Sequence, residues 1–382
     1  MQVLRVVHIT PSFFPATRFG GPIVSTKRLC DELVARGEIE LRVETTNTSG
    51  KRFRDKLSKE AIRPAPEMGY AINYCNKWAG ADWSPALLRS IASTVRDVDV
   101  VHLTGVYSWP TFPTLACCAV FDKPLVWSPR GALQVWAGSR RRRVKVIWNS
   151  LCSILLKRTR AVVHVTSQEE SHAAQEALRG IETAVIRNGV DVPRELPSRE
   201  WLPNGVLRVL YLGRIDQKKG IENLLRALSL LRDPRWTLVI YGAGQLEYER
   251  ALRELVSVLR IESNVRFAGH VEGEKKGRAF ADADLCVVPS HTENFGIVVA
   301  EALAHQVPVI ASRGTPWMEL ESHRCGYWVD NQPESLAEAI DSIRTQNLAQ
   351  LGENGRRWME STFGWPEVAR QMLDLYRKQA GQ

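Results

Sequence analysis

Short apolar runs alternate with stretches of helical periodicity along the whole chain. The runs include Val3–Ile9, Val98–Leu103, Leu207–Leu212 and Leu285–Pro289, and turn residues bound each of them. Runs that are apolar on both faces are typical of parallel strands, because the helices that connect such strands cover both sides of the sheet. The pattern predicts an α/β fold built from doubly wound parallel sheets.

The alternation restarts after a segment rich in proline and charge. Prolines at 193, 197 and 203 lie in this segment, and proline both lacks a backbone N–H and disfavours helix. The segment therefore predicts a linker between two Rossmann-like domains that face each other across a cleft. We expect the domains to span residues 1–195 and 205–365. A length of 382 residues suits two domains of ordinary size.

Basic residues are concentrated in the first half of the chain. Residues 1–200 hold 29 Lys and Arg against 19 Asp and Glu, whereas residues 201–382 hold 22 against 23. A one-sided basic surface indicates an anionic partner such as nucleic acid, a phospholipid surface or a phosphorylated acceptor. The alternative is a basic face that is simply solvated.

The cysteines and the start of the chain bear on cellular location. The seven cysteines form no C-x-x-C pair and no zinc-type spacing, which indicates buried thiols in a reducing compartment. No signal-peptide pattern is visible around the first apolar run, and no window holds the roughly 18 apolar residues of a membrane-spanning helix, so we expect neither element. We expect a cytoplasmic protein that binds membrane at most peripherally.

A glycine-bounded loop, Gly213–Gly220, lies between the apolar run Leu207–Leu212 and a helical stretch. A glycine turn between strand and helix directs free backbone N–H groups outward, and cations beside it can neutralise a diphosphate. Arg214 and Lys219 are the candidate cations. The alternative is an ordinary connecting loop with solvated basic residues. The loop is no Walker motif, and Gly242–Gly244 is no complete dinucleotide fingerprint.

A second candidate segment follows the run Leu285–Pro289. The residues after Gly296 predict a helix whose first turn offers unpaired amides to an anion. Glu293 precedes this helix, and Glu301 lies about one and a half turns along it. Two carboxylates so placed can hold hydroxyl groups on two different rings of one long ligand.

The spacing of Glu293 and Glu301 resembles the E-x7-E signature of retaining glycosyltransferases of the GT-B fold, glycosyltransferase family 4. The resemblance covers nearly the whole chain. The turn Pro129–Gly131 also resembles a Pro-Arg-Gly turn of bacterial surface-polysaccharide transferases in this family. Further segments follow the family's order, namely Phe19–Pro22, Arg187–Asp191, Gly213–Gly220, Val265–His270, Ala281–Asp284 and Pro308–Ala311.

The resemblance implies transfer of a sugar from a nucleoside-diphosphate sugar to a glycan or polyprenyl-diphosphate-linked acceptor, in bacterial exopolysaccharide, capsule or lipopolysaccharide biosynthesis. It implies that Arg214 and Lys219, beside Gly213, bind the diphosphate, and that Glu301 holds the ribose. Glu293 holds donor-sugar hydroxyls, and amides near Asn294, Phe295 and Gly296 support the sugar and phosphate. The implied catalytic set is Glu293, Arg214 and Lys219.

No metal or cofactor is expected, because two cations and a helix N-terminus can stabilise the departing diphosphate. Asp282 and Asp284 form an Asp-x-Asp pair, and we interpret them as a helix-to-strand junction rather than a metal site.

In the first domain the candidate acceptor or phosphate contacts are Gly20, Gly21, His102 and Arg130. Many relatives carry a second histidine two residues after the first, where this chain has Thr104, so the family's active-site histidine role stays unassigned. His102 is either a structural residue or a substrate contact. Arg130 either contacts an acceptor phosphate or caps its strand. In GT-B relatives the terminal helix, here 366–382, crosses back onto the first domain.

A basic cluster, Arg140–Arg143, precedes apolar positions at 144, 147, 148, 151, 154 and 155. The spacing is helical and fits a core-facing helix with solvated ends. A membrane-surface helix needs the same combination of basic and apolar residues. We hypothesise that the first domain rests on the anionic inner face of the membrane.

Three other classes compete with this interpretation. A GT-B epimerase or phosphorylase shares the two domains but should lack the E-x7-E arrangement. A nicotinamide dehydrogenase is disfavoured because no strand ends in a full G-x-G-x-x-G. A nucleic-acid-binding protein would fit the basic half, yet no recognition-helix, zinc or aromatic-platform motif accompanies it, so no nucleic-acid partner is expected.

Overall fold

The chain forms two compact units in a computed structural model, which describes residues 3–50, 52, 54–62, 68–80, 82–134 and 142–382, with only the backbone of Arg142. The first unit comprises Met1–Gly189 and Trp365–Gln382, and the second comprises Val190–Gly364. The first boundary thus lies six residues before the predicted end of the first domain at residue 195.

The two points at which the chain changes unit lie side by side. The backbone N–H of Val190 donates to the carbonyl of Phe363 at 2.8 Å, and Val190 forms a parallel bridge with Gly364. The proline-rich segment therefore belongs to the second unit. Within it the Arg199 guanidinium donates to the carbonyls of Ala281 and Gln306, at 3.1 and 2.9 Å.

The first unit contains a seven-stranded sheet in the order β3-β2-β1-β4-β5-β6-β7. All of its strand pairs are parallel. The strands are β1 Leu4–Ile9, β2 Ile39–Thr46, β3 Ala71–Cys75, β4 Val100–Thr104, β5 Leu125–Ser128, β6 Ala161–Val165 and β7 Glu182–Val185. The helices are α1 Gly21–Ala35, α2 Pro85–Asp97, α3 Thr111–Val120, α4 Arg142–Leu156 and α5 Gln168–Leu178.

The second unit contains a six-stranded parallel sheet in the order β10-β9-β8-β11-β12-β13. Its strands are β8 Leu207–Leu212, β9 Trp236–Tyr241, β10 Val265–Gly269, β11 Leu285–Val288, β12 Val309–Ser312 and β13 Gly326–Val329. Its helices are α6 Ile221–Ser229, α7 Leu246–Val258, α8 Gly273–Ala281, α9 Ile297–Ala304, α10 Pro333–Arg344 and α11 Leu348–Trp358.

The prediction of two doubly wound parallel sheets is confirmed. Every residue of β4, β5, β11 and β12 is buried, as expected for strands with helices on both faces. The strand order reverses once in each sheet, between β1 and β4 and between β8 and β11. At such a reversal the connections leave in opposite directions, so a crevice opens at the carboxyl ends of the two strands.

The last helix, α12 Trp365–Ala380, returns to the first unit. Its side chains Met372, Leu373 and Tyr376 are buried in a core cluster that includes Leu29 and Leu33 of α1. Packing against α1 therefore holds the chain terminus onto the first sheet.

Helix α4 divides its apolar residues between the core and solvent. Cys152 and Leu156 are buried, and Trp148 and Leu155 pack against the same core cluster. The opposite side is exposed, with Val144 at 58%, Ile147 at 63%, Leu151 at 48% and Ile154 at 58%. Arg140 and Arg141 lie outside the described residues. No helix among residues that the structure describes is long and apolar enough to cross a lipid bilayer.

The two aspartates of the Asp-x-Asp pair lie between α8 and β11. Asp284 is fully buried, and its carboxylate accepts hydrogen bonds from the Arg208 backbone N–H at 2.9 Å and from Arg208 Nη2 at 2.7 Å. Asp282 is exposed at the end of α8. The buried member of the pair thus joins β11 to the start of β8.

Replacing Asp284 with Ala should lower the free energy of unfolding of the second unit by about 3 kcal/mol, because it leaves a partly buried guanidinium and a backbone N–H without their acceptor. Urea denaturation measures the change. The matched control Asp282→Ala should stay within about 0.5 kcal/mol of wild type. Equal losses in the two variants would contradict the junction role.

Candidate active site

Two loops flank the reversal of strand order in the second unit. The loop Gly213–Gly220 leaves β8, and the loop Pro289–Gly296 leaves β11. Gly220 has a φ of 62°, and a Cβ added there would lie 2.2 Å from the carbonyl oxygen of Pro289. Only glycine fits this left-handed, crowded position, so the two loops can touch backbone to backbone.

Two contacts join the two loops, and a third orients Glu293 within the second loop. The backbone N–H of His291 donates to the Lys218 carbonyl at 2.8 Å. The Lys219 ammonium forms an ion pair with Glu293, whose Oε1 also accepts a hydrogen bond from Ser290 Oγ at 2.9 Å. The Lys219 and Glu293 side chains are only 16% and 15% exposed. Two predicted site residues that are 74 positions apart thus share one location.

The other cations of the first loop differ in burial. Arg214 is exposed, and the Tyr211 hydroxyl donates to its backbone carbonyl at 2.9 Å. Lys218 is partly buried, and this burial lowers its pKa while the nearby Glu293 carboxylate opposes the shift. Lys218 was not among the candidate cations predicted from the sequence. The loop therefore carries three cations, Arg214, Lys218 and Lys219, of which Lys219 is already paired with a carboxylate.

The helix α9 begins at the second loop. Its N-cap Gly296 has a φ of 71°, and the Trp317 indole N–H donates to the Phe295 carbonyl at 2.5 Å. The Phe295 ring is buried against Trp317 and Phe363. Phe295 therefore has only its backbone amide to offer a ligand. The side-chain Oδ1 of Asn294 is buried and has no hydrogen-bond partner among the described residues.

Glu301 lies on α9 with its two oxygens in different situations. Oε1 accepts from the Lys276 ammonium at 2.5 Å, whereas Oε2 is buried without a partner in the described part of the chain. Burial raises the pKa of Glu301, and Lys276 opposes the shift. Lys276 was not predicted from the sequence, because it lies 25 residues from Glu301 and adjacent lysines on a helix are typical of a solvated face. Oε2 therefore has unused capacity to accept a hydrogen bond.

Two family models together match most of the chain. Residues 19–194 match Glycosyltransferase Family 4, and residues 194–358 match Glycosyl transferases group 1. The fold is that of the solved sucrose-phosphate synthase from Thermosynechococcus elongatus, at a TM-score of 0.78, 23% identity and 98% coverage of both chains. The chain belongs to the GT-B glycosyltransferases.

Two curated relatives of this glycosyltransferase differ in the share of the chain that they match. An uncharacterised glycosyltransferase of Methanocaldococcus jannaschii is 31% identical over 175 residues, which are 44% of each chain. A GDP-mannose:cellobiosyl-diphosphopolyprenol alpha-mannosyltransferase of Xanthomonas oryzae is 27% identical over 304 residues, 77% of this chain and 78% of that one. Relatives with different named activities share this fold, so substrate choice depends on individual site residues.

The predicted glycine loop of the first unit lies at the end of β1, beside the reversal between β1 and β4. Gly20 has a φ of 87° and caps α1, and Gly21 is the first residue of that helix. Both are exposed, and a Cβ added at either would meet no atom within 4 Å. Open space therefore adjoins this loop, and its contact with an acceptor or phosphate stays a prediction.

Arg130 lies in the turn after β5 with a left-handed φ of 54°. Its Nη1 donates to Asn188 Oδ1 at 2.5 Å, and its Nε is buried without a described partner. Burial lowers the pKa of Arg130, and Glu170 opposes that shift. Glu170 also accepts from the backbone N–H of Gly131 at 2.5 Å. The guanidinium is thus partly committed to Asn188, and an acceptor phosphate remains a predicted additional partner.

His102 lies in a buried chain of hydrogen bonds that runs from α12 to the end of β7. Successive contacts join Tyr376 Oη, His102, Ser128 Oγ, His164 and the carbonyl of Ile186, at distances from 2.5 to 2.9 Å. A carbonyl only accepts, so His164 Nε2 carries the proton. The other ring nitrogen of His164 must then accept a hydrogen bond, and Ser128 Oγ donates it. By the same reasoning His102 donates to Ser128 and accepts from the Tyr376 hydroxyl, which is the first donor of the chain.

Both ring nitrogens of His102 therefore have protein partners, which favours its structural alternative. His8 stacks on His102 with ring centroids 4.3 Å apart, and Thr104 Oγ1 lies 2.8 Å from His8 Nε2. Thr104 is thus a partner for the histidine of β1. Burial lowers the pKa of His102 and brings those of His8 and His164 to about 3.

The stability of the first unit should fall as the pH drops from about 6.5 towards 3. In this window the unfolded chain takes up protons at His8 and His164, whereas the folded chain does not. The decrease in the free energy of unfolding should approach about 1.4 kcal/mol per pH unit for each histidine. Urea unfolding at pH 7.5, 6.0 and 5.0 measures it.

Removing one buried histidine isolates this effect from the titration of carboxylates. His164→Gln should be less stable at pH 7.5 and should show a shallower loss below pH 6.5. The control His172→Gln removes an exposed histidine of α5 and should keep the wild-type slope. An unchanged slope in His164→Gln would show that the buried ring is not the source.

Proposed function

We propose that the chain is a retaining glycosyltransferase that moves a sugar from a nucleoside-diphosphate sugar to a glycan or polyprenyl-diphosphate-linked acceptor in bacterial surface-polysaccharide biosynthesis. The observation that carries the donor half is the Lys219–Glu293 ion pair, which joins the loop Gly213–Gly220 to the loop Pro289–Gly296 at the carboxyl ends of the neighbouring strands β8 and β11. The name of the Xanthomonas relative supports a lipid-linked acceptor.

The diphosphate is the group that Arg214 and Lys219 would bind. When the bond between the anomeric carbon and the β-phosphate oxygen breaks, negative charge builds on the departing diphosphate. Two cations and the first-turn amides of α9 can stabilise that charge without a metal ion. The ion pair with Glu293 holds Lys219 in place beforehand. Each charge-assisted contact contributes about 1.5–3 kcal/mol.

The two carboxylates would hold different parts of the donor. Glu301 would offer a ribose hydroxyl its Oε2, which is buried and has no partner among the residues that the structure describes, while Lys276 fixes the orientation of the carboxylate through Oε1. Lys219 and Ser290 both contact Oε1 of Glu293, so Oε2 is the atom left for a hydroxyl of the transferred sugar. This division assigns nucleotide affinity to Glu301 and transfer to Glu293.

A thermal-shift panel of UDP-glucose, GDP-mannose and ADP-glucose should show one nucleotide class that raises the unfolding temperature, because a ligand that binds the folded state stabilises it.

Glu301→Ala should weaken nucleotide binding by about tenfold. Glu293→Ala should chiefly lower kcat, by about 100-fold, because its contact to the sugar serves the transition state. Donor turnover is followed by release of the nucleoside diphosphate.

Glu334→Ala is the matched control, because Glu334 is an exposed glutamate in the first turn of α10 in the same unit. It should leave both the thermal shift and kcat at wild-type values. Wild-type binding and turnover in both Glu301→Ala and Glu293→Ala would refute the proposed site.

We also propose that α4 places the first unit on an anionic membrane surface. The exposed side of α4 is apolar along its length, and exposed Arg143, Lys157 and Arg158 flank it. An interfacial helix needs both features, since the apolar side chains enter the headgroup region while the cations bind anionic lipids. Each such cation contributes about 1 kcal/mol near an anionic leaflet.

The triple variant Arg143→Glu/Lys157→Glu/Arg158→Glu should lose most of its co-sedimentation with phosphatidylglycerol vesicles, and wild-type binding should weaken as salt rises. Charge reversal at Arg89, Arg226 and Arg260, three exposed basic residues outside α4, is the control and should bind vesicles nearly as wild type does. Salt-insensitive wild-type binding, or equal loss in the two triples, would rule out α4 as the contact.

A further inference from the structure

Three tryptophans of the first unit form a continuous aromatic cluster. The rings of Trp78 and Trp83 stack with centroids 4.9 Å apart and planes 28° apart, and Trp109 lies 5.5 Å from Trp83. Trp78 is 63% exposed, whereas every other tryptophan that the structure describes is buried or partly buried. An exposed indole supported from behind by a second indole presents a flat apolar surface to solvent.

The turn that carries Trp78 is held by hydrogen bonds at both ends. The backbone N–H of Trp78 donates to the Trp83 carbonyl at 2.8 Å, and the N–H of Trp83 donates to the Ala79 carbonyl at 3.2 Å. Ser84, the N-cap of α2, donates through Oγ to the Asn76 carbonyl at 2.8 Å. The exposed ring therefore stands on a closed turn rather than on a free loop.

A buried lysine fixes the base of the same turn. The Lys77 side chain is fully buried, and its ammonium, with three N–H donors, lies within hydrogen-bond distance of four acceptors, namely Thr48 Oγ1 and the carbonyls of Gly50, Arg52 and Asp55, at 2.8 to 3.2 Å. These bonds tie the segment after β2 to the segment after β3. A surface fixed in advance loses little conformational entropy when a ligand binds, which favours affinity.

The cluster lies at the carboxyl end of the first sheet, where open α/β sheets bind ligands. Trp78 and Trp83 follow β3, and Trp109 follows β4, which flanks the reversal of strand order. Between the two stacked tryptophans in sequence, Asp82 is partly buried and accepts from the Trp109 backbone N–H at 2.9 Å. The segment that carries the stacked rings thus also carries a carboxyl group, which is bonded to the backbone of the third tryptophan of the cluster.

We propose that Trp78 and Trp83, with Asp82, form a subsite for one pyranose ring of a glycan acceptor. The C–H face of a pyranose packs on an indole, while a carboxyl group accepts hydrogen bonds from its hydroxyls. An anionic lipid headgroup fits this surface less well, because the charged group beside the rings is itself acidic. The inference rests on the proposed function, which requires a glycan-bearing acceptor, and it adds the residues that bind the glycan.

Saturation-transfer NMR on the full chain tests the subsite with three probes: cellobiose, maltose and N,N′-diacetylchitobiose. At least one should receive saturation from wild-type protein and bind about tenfold more weakly to Trp78→Ala, while Trp78→Phe, which keeps an aromatic face, should retain part of the affinity. Val120→Ala removes a 76% exposed apolar side chain of the same unit and should bind as wild type does. Thermal unfolding confirms that each variant folds.

Two results would overturn the subsite: no saturation of any probe by wild-type protein, or equal binding by wild type and Trp78→Ala. Loss of vesicle binding in Trp78→Ala with unchanged saccharide binding would assign the ring to a membrane contact instead. The nucleotide-sugar thermal shift of the wild-type protein separates the two proposals. A positive shift with no saccharide binding rejects the subsite alone, whereas absence of any shift across the donor panel rejects the proposed function.

Discussion

The reversal of strand order between β8 and β11 is the constraint on which the candidate donor site depends. Because these strands are neighbours in the sheet but belong to connections that leave in opposite directions, the loops that follow them meet over an open crevice. The Lys219–Glu293 ion pair and the His291–Lys218 backbone hydrogen bond join those loops. Chemistry encoded far apart in sequence is thereby gathered at one sheet edge.

The backbone of the loop after β9 closely approaches the backbone of the loop after β8. A Cβ at Gly242 would lie 1.8 Å from the Gly213 carbonyl oxygen, and one at Gly244 would lie 2.0 Å from the carbonyl of Ile215. These two glycines follow β9, so they allow the neighbouring loop to pack directly under the candidate diphosphate loop. Their role is steric, which explains why two glycines stand there without a complete dinucleotide fingerprint.

In the first unit several buried polar side chains are hydrogen-bonded to one another, and other residues face solvent. Its three strand histidines are buried, and the hydrogen-bond chain from Tyr376 to Ile186 consumes the ring nitrogens of His102 and His164. Satisfied buried polar groups of this kind specify how α12 packs on the sheet. The features exposed to solvent are different ones, namely the apolar side of α4 and the ring of Trp78, which stacks on Trp83.

The sequence alone determined the two parallel α/β sheets, because hydrophobic periodicity depends only on local order and on burial of both strand faces. It also marked Arg214, Lys219, Glu293 and Glu301, since glycine turns and helix starts are local signals. Which groups meet was decided by the tertiary structure: Lys276 beside Glu301, Tyr376 on His102, and Trp109 against Trp83. Such contacts join residues from separate elements, and strand order, which no local pattern encodes, sets which elements become neighbours.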